Sequence, residues 1–77
     1  MIIKFQTKGC SPCYAMSVLL DKMMVEYEEV DIEKDMESAI DNRVSSVPTL
    51  INTTNGNRLV GFKDKETVKE WINDNTG

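Results

Sequence analysis

Residues 2–13 read IIKFQTKGCSPC and hold the two cysteines of the chain in a Cys-x-x-Cys motif. Residues 2–6 are short, apolar and extended in character, which indicates a strand. Helical spacing begins after Cys10, and Pro12 stands in the first turn, where its missing N–H would have no partner in any case. The stretch therefore predicts a strand that passes through a short loop into a helix, with Cys13 one turn inside it.

The place of each cysteine at this junction gives it a chemical role. Backbone N–H groups at a helix start have no partner within the helix, and together with the helix dipole they stabilise a negative charge. A thiolate at Cys10 is therefore favoured. Cys13 is expected to be less exposed and placed to attack a mixed disulfide formed at Cys10. Lys8 is close in sequence and is expected to add to the positive field.

The composition restricts the classes of function. The chain has 77 residues, which favours one domain over 1–77. It has two Cys and no His, so Ser-His and Cys-His pairs are excluded and a zinc site within one chain lacks its usual ligands. The net charge of −4 argues against a nucleic-acid partner. No segment resembles a signal peptide or approaches the roughly 20 apolar residues of a membrane span, so we expect a cytosolic protein without a membrane partner. We also expect a monomer.

Two other interpretations of the Cys pair remain open at this point. In the cytosol a close pair is more often catalytic or metal-binding than structural. Half of a zinc site shared between two chains is one alternative, and an inert buried pair is another. The Pro-containing motif at a strand–helix junction favours redox chemistry, with a Cys10–Cys13 disulfide and no bound cofactor or metal.

Downstream of the motif, strand and helix periods alternate. We predict a strand at 27–32, a short helix at 36–43 capped by Asp35, a strand at 49–52, a strand at 58–61 antiparallel to it, and a last helix after an Asp64 cap. The element order is β-α-β-α-β-β-α. Its strand–helix–strand start implies a parallel pair with a right-handed crossover. The prediction is an α/β fold, with a mixed four-stranded sheet and helices on both faces.

The same periods predict where the last helix ends and which side chains face the core. The tail from Asn73 is expected to fray. The predicted inward positions are Met16, Leu19, Leu20, Met23 and Tyr27 on the first helix, widened by Val18, Met24 and Val25; Met36, Ala39 and Ile40 on the short helix; and Val68, Trp71 and Ile72 on the last helix.

Three segments together resemble the thioredoxin superfamily. The segment Cys10-Ser11-Pro12-Cys13 resembles its active-site motif, Val47-Pro48-Thr49 its cis-proline element, and Gly61-Phe62-Lys63-Asp64 the stretch that leads into its last helix. Residue statistics alone favour a trans bond before Pro48, because only about 5–6% of X-Pro bonds in folded proteins are cis. The resemblance implies a cis bond and a thioredoxin-like fold. It also implies that the backbone of Val47 pairs with an extended substrate segment.

Within the superfamily the length favours the glutaredoxin-like group, because thioredoxins are expected to carry an extra N-terminal strand and helix before the segment that resembles this chain. Thioredoxins bury an Asp six residues before the first Cys, and Lys4 holds that place. Classical glutaredoxins bind glutathione through a Gly-Gly pair, whereas Gly61 is followed by Phe62. The Gly-Phe-basic start of the last helix resembles the glutaredoxin-like hydrogen donors of ribonucleotide reductase, which thioredoxin reductase recharges.

The resemblance implies an enzyme that reduces protein disulfides through Cys10 and Cys13 and is recharged by thioredoxin reductase. Ribonucleotide reductase is one candidate substrate. A glutathione-dependent glutaredoxin is the main alternative, and a metal-bridged binding module is a further one. Ser11, Pro12 and Tyr14 are expected to support the site, and Phe62 is a candidate contact for a partner protein.

Overall fold

The structure, a computed structural model, describes residues 1–76 and contains the predicted order of strands and helices. The predicted domain boundary at residue 77 lies outside the described residues. The elements are β1 (Ile2–Gln6), α1 (Ser11–Lys22), β2 (Tyr27–Asp31), α2 (Met36–Asp41), β3 (Thr49–Asn52), β4 (Arg58–Val60) and α3 (Lys65–Thr76). Among these residues no helix is long and apolar enough to cross a membrane.

The strands form one mixed sheet in the order β2-β1-β3-β4. Strand β1 is parallel to β2 and antiparallel to β3, and β3 is antiparallel to β4. The register places Lys4 between Glu29 of β2 and Leu50 of β3. The predicted α/β fold with a mixed four-stranded sheet is confirmed.

One face of the sheet forms the main core with α1 and α3. Side chains alternate between the two faces of a strand, so Ile2, Lys4 and Leu50 point to the same side. Partly buried Trp71 and Phe62 pack against this core. Its fully or nearly buried members are Ile2, Met16, Leu19, Leu20, Leu50, Val68 and Ile72.

Helix α2 lies on the opposite face of the sheet and is held there by hydrogen bonds from Arg58. Arg58 of β4 pairs with Ile51, so its side chain points away from the main core. Its guanidinium donates hydrogen bonds to the carbonyl oxygens of Asn42, at 2.7 Å, and Arg43, at 3.3 Å, at the end of α2. Helices therefore cover both faces, as predicted.

Helix α1 ends earlier than its apolar stripe predicts. The N–H groups of Met24 and Val25 donate back to the carbonyl oxygens of Asp21 and Leu20, and Met24 has a φ of 57°. These bonds turn the chain out of the helix in a Schellman motif. Met24 is consequently 90% exposed, and Tyr27 belongs to β2, so the prediction that both extend the apolar face of the helix is wrong.

Helix α2 is shorter than predicted and buries one apolar residue. Ala39 is 6% exposed, whereas Met36 and Ile40 are more than 60% exposed, so their predicted inward orientation is wrong. Arg43 has a φ of 56° and ends the segment as Met24 ends α1. In a helix of fewer than two turns, the face that places Ala39 against the sheet leaves the neighbouring apolar positions in solvent.

The last two elements also differ from their predicted bounds. Strand β4 ends at Val60, one residue before Gly61, which has a φ of 82°. Helix α3 does not fray at Asn73 and continues to Thr76. The Nδ2 of Asn52 donates to the Oδ1 of Asn75 at 3.0 Å, which ties the last turn to β3.

Candidate functional site

Cys10 is the N-cap residue of α1. Its backbone is extended, with φ −95° and ψ 101°, and its carbonyl oxygen accepts the first helical hydrogen bond, from the N–H of Tyr14 at 3.1 Å. Its Sγ accepts a hydrogen bond from the N–H of Cys13 at 3.2 Å. Gly9 precedes it with a φ of 73°, a conformation that favours glycine. The chain thus places the first sulfur where unpaired helix N–H groups point.

The two cysteines are joined by a disulfide bond, with their Cα atoms 5.2 Å apart. They differ in burial, because Cys13 is 3% exposed and Cys10 is only partly buried. Solvent and a partner protein therefore have access to Cys10 and little access to Cys13. This is the arrangement predicted from the position of the motif on the helix.

A cavity of about 280 Å³ opens beside the disulfide. Both cysteines line it, together with Tyr14, which is 74% exposed. Ser11 and Pro12 are also exposed, and Ser11 lines a neighbouring surface hollow with Gly9, Cys10 and Tyr14. The other residues that line the cavity are Lys4, Gln6, Thr7, Gly9, Ser17 and Glu29.

The Val47–Pro48 bond is cis, so the expectation of a trans bond from residue statistics is wrong and that from the resemblance is right. Pro48 is buried, and Val47 is partly exposed. The N–H of Gly61 donates to the carbonyl oxygen of Pro48 at 2.7 Å, so the structure brings these two predicted site residues together.

Several predicted site residues do not line the cavity: Lys8, Ser11, Pro12, Val47, Pro48, Gly61 and Phe62. Lys8 is exposed in the turn after β1 and is absent from the residues that line the cavity. Phe62 is partly buried and packs against the main core. The role of Lys8 as a positive charge near Cys10 and the role of Phe62 as a contact for a partner protein stay predictions.

Lys4 is a cavity residue whose burial was not predicted. It is 1% exposed, and its Nζ donates hydrogen bonds to the Oε1 of Gln6 and the Oγ of Ser17. Burial lowers the pKa of Lys4, and the carboxylates of Glu29 and Asp21 oppose this effect. Its alternation with Ile3 and Phe5 in β1 is the signal that could have revealed it, because Lys4 shares a face with buried Ile2.

Polar side chains connect Lys4 to the edge of the sheet. The Nε2 of Gln6 donates to Glu29 at 2.7 Å, and the hydroxyl of Tyr27 lies 3.3 Å from both Glu29 and Asp21. Because this hydroxyl has one proton, it donates to one carboxylate at a time. Burial is the main cause that raises the pKa of Tyr27.

Within residues 1–76 no group of three or more His, Cys, Asp or Glu side chains could hold a metal ion. The chemistry that the described side chains support is thiol–disulfide exchange at the Cys pair.

Residues 1–74 match the family model described as thioredoxin. The chain is 33% identical to a thioredoxin of Chlamydia pneumoniae over 81 aligned residues, which cover 95% of this chain and 79% of the relative. It is 28% identical to the mitochondrial thioredoxin of Mus musculus, of which it spans about half, 49%.

The fold is similar to solved thioredoxin structures. Oxidised mitochondrial thioredoxin 3 of Saccharomyces cerevisiae superposes with a TM-score of 0.81 at 22% identity, covering 95% of this chain and 76% of that one. The thioredoxin of Fasciola hepatica gives a TM-score of 0.76 at 23% identity, with 97% and 79% covered.

Proposed function

The chain belongs to the thioredoxin family and is a dithiol–disulfide oxidoreductase, and we propose that Cys10 is its attacking thiol and Cys13 its resolving thiol. The observation that carries this assignment is the contrast between the two sulfurs. Cys10 caps the helix with its sulfur and is accessible, whereas Cys13 is 3% exposed. The narrower similarity to glutaredoxin-like hydrogen donors remains a prediction.

The proposed reaction has two exchange steps. The Cys10 thiolate attacks one sulfur of a substrate disulfide, forms a mixed disulfide and releases the other substrate sulfur as a thiolate, which takes a proton from water. The Cys13 thiolate then attacks the Cys10 sulfur, closes the Cys10–Cys13 bond and releases the second substrate thiolate. Two electrons pass from the protein to the substrate in one cycle.

The loop that contains the cis peptide is the proposed docking element for the substrate. Val47 is partly exposed and precedes buried Pro48, whose carbonyl oxygen is already bonded to Gly61. An extended substrate segment that hydrogen-bonds the backbone of Val47 would be aligned as an added strand. Proteins with exposed disulfides are therefore the proposed substrates.

We propose thioredoxin reductase as the source of electrons, in the cytosol, where a close Cys pair is redox-active more often than structural. The family match is consistent with this reductant. Glutathione is less favoured, because the Gly-Gly element of classical glutaredoxins is interrupted by Phe62, which packs on the core.

Two recycling assays test this function. Reduction of insulin disulfides is followed with thioredoxin reductase and NADPH, and in parallel with glutathione, glutathione reductase and NADPH. We expect turnover in the first system and loss of that turnover in Cys10→Ser. Turnover only with glutathione would contradict the proposed reductant, and full activity of Cys10→Ser would contradict the assignment of the attacking thiol.

A further inference from the structure

Lys4 is a buried cationic residue beside the Cys pair that the exchange steps above do not use. It is 1% exposed and lines the same cavity as Cys10 and Cys13. Its position in β1 directs it to the face of the sheet that α1 covers. A lysine is rarely buried this completely unless it is paired, so its location calls for a chemical reason.

The contact of Lys4 with α1 places it close to Cys13. Its Nζ is hydrogen-bonded to the Oγ of Ser17, which follows Cys13 by four residues on the same helix. Side chains four apart on a helix lie on one face, with Cβ atoms about 5–6 Å from each other. The ammonium group therefore contacts the face of α1 that carries Cys13, at the residue one helical turn further along.

The charge of Lys4 is not neutralised by direct contact. In the part of the chain that the structure describes, the ion pair within 4 Å is Lys69–Glu66, and the Nζ of Lys4 is bonded to the neutral side chains of Gln6 and Ser17. A charge with neutral partners in a partly dry site acts strongly on nearby ionisable groups.

The ionisable groups that face Lys4 come from two elements. Helix α1 contributes Cys13 and Asp21, and β2 contributes Tyr27 and Glu29. Both carboxylates are exposed, so water screens their interaction with Lys4 more than it screens the interaction between Lys4 and the buried sulfur. They favour the ammonium form of Lys4 against the effect of burial.

We propose that Lys4 is a positioning residue for the resolving step, which acts through Cys13 by favouring its thiolate over its thiol. The inference rests on the proposed roles of the two cysteines. In the step itself the Cys13 thiolate forms the bond to the Cys10 sulfur, and the bond from Cys10 to the substrate breaks. The proton that Cys13 loses beforehand passes to water, because an ammonium group has no lone pair to accept it.

The test measures the ionisation of Cys13 alone. In a Cys10→Ser background one thiol remains, and its thiolate absorbance near 240 nm is followed against pH in the reduced full chain. Lys4→Met keeps the length of the side chain and removes its charge. Adding it is expected to lower the acid dissociation constant of Cys13 at least about tenfold. A change of less than about twofold in the folded protein would overturn the proposal.

Two matched variants separate charge from packing. Lys22→Met removes an exposed cation from the far end of the same helix, about 13 Å from Cys13 along the axis, and should leave the titration unchanged. Lys4→Arg keeps the charge and should retain most of the acidity that Lys4→Met loses. Equal losses in Lys4→Arg and Lys4→Met would assign the effect to packing and overturn the proposal.

Lys4→Gln provides a second route if Lys4→Met does not fold. It removes the charge and keeps an N–H donor for the Oγ of Ser17, so it should also make Cys13 a weaker acid. A change of less than about twofold in the acid dissociation constant of Cys13 would count against the proposal. The thiol titration does not depend on turnover, so its result is independent of the recycling assays. If Lys4→Met weakens the acidity of Cys13 as expected while Cys10→Ser keeps full reductase activity, only the proposed roles of the two cysteines are refuted.

Discussion

Cys10 and Cys13 belong to one short motif, yet the backbone gives their sulfurs different surroundings. The extended conformation of Cys10 ends the loop and starts the helix, so its sulfur receives the N–H of Cys13. Cys13 is already inside the first turn, is 3% exposed and lines the same cavity as Lys4 of β1. The activation of the first thiol is therefore attributed to the helix terminus, and that of the second to a buried cation.

Gly9 sets the approach of the chain to Cys10, and its substitution is a test at the residue scale. No atom lies within 4 Å of an added Cβ, so Gly9→Ala is strained by its φ of 73° and not by a clash. We expect a loss of about 1 kcal/mol in the free energy of unfolding, measured by urea denaturation. We also expect a lower rate of insulin reduction, because Cys10 is displaced.

Gly56→Ala is the matched control for this substitution. Gly56 lies in the turn between β3 and β4 with a φ of 79° and equal free space. It should lose similar stability and keep its reductase rate, corrected for folded fraction. A rate loss of the same size in both variants would show that Gly9 matters only for folding.

At the scale of elements, the helix starts were predictable and the helix ends were not. Asp35 and Asp64 cap α2 and α3 as predicted, because a carboxylate that accepts from a first-turn N–H is a local signal. Both α1 and α2 end through a left-handed residue, at Met24 and Arg43. Glycine usually marks such ends, so these two left no signal in the sequence.

The Asp64 cap predicts a pH dependence of stability. Its carboxylate accepts hydrogen bonds from the N–H and Oγ1 of Thr67, and these bonds lower the pKa of Asp64. Because the folded pKa lies below the unfolded value of about 3.9, the contribution is complete above that pH and is lost as pH falls through the folded pKa. Thermal unfolding of Asp64→Ala should show a lower Tm than the parent at pH 7, and the difference should shrink below about pH 4.

A difference in Tm that stays constant down to pH 2 would contradict the role of the charged carboxylate. Asp64→Asn is the informative companion variant. Asn caps helices about as well as Asp but does not ionise in this range, so its Tm relative to Asp64→Ala should not depend on pH.

At the scale of the whole molecule, the order of the elements and the mixed sheet followed from hydrophobic period and turn residues. The cis bond before Pro48 did not, because residue statistics favour trans and only the match of three distant segments implied cis. The alternation of side chains in β1 places Lys4 on the same face of the sheet as Ile2. Whether Lys4 is buried depends on which helix covers that face, and the sequence of β1 does not determine this. The exposure of Ile40 reflects the angle at which a short helix meets the sheet, which no local pattern encodes.

A chain of this length has limited stability, so one core truncation should be close to unfolding it. Stability of roughly 0.05–0.15 kcal/mol per residue gives about 4–12 kcal/mol in total. Leu20 is fully buried between α1 and the sheet, and Leu20→Ala should cost about 2–5 kcal/mol by urea denaturation. Ile40→Ala, at a position 69% exposed, should change stability by less than about 0.5 kcal/mol. A large loss in Ile40→Ala would mean that α2 packs as its sequence pattern predicted.

The division of labour between Cys10 and Cys13 is tested most directly by locating the covalent intermediate. Reduced Cys13→Ser and reduced Cys10→Ser are each mixed with a disulfide-containing protein, quenched with acid, digested and examined by mass spectrometry without reductant. We expect a mixed disulfide at Cys10 to accumulate in Cys13→Ser, with little adduct in Cys10→Ser, because Cys13 is buried. Rapid, stable adducts at Cys13 together with none at Cys10 would contradict the account.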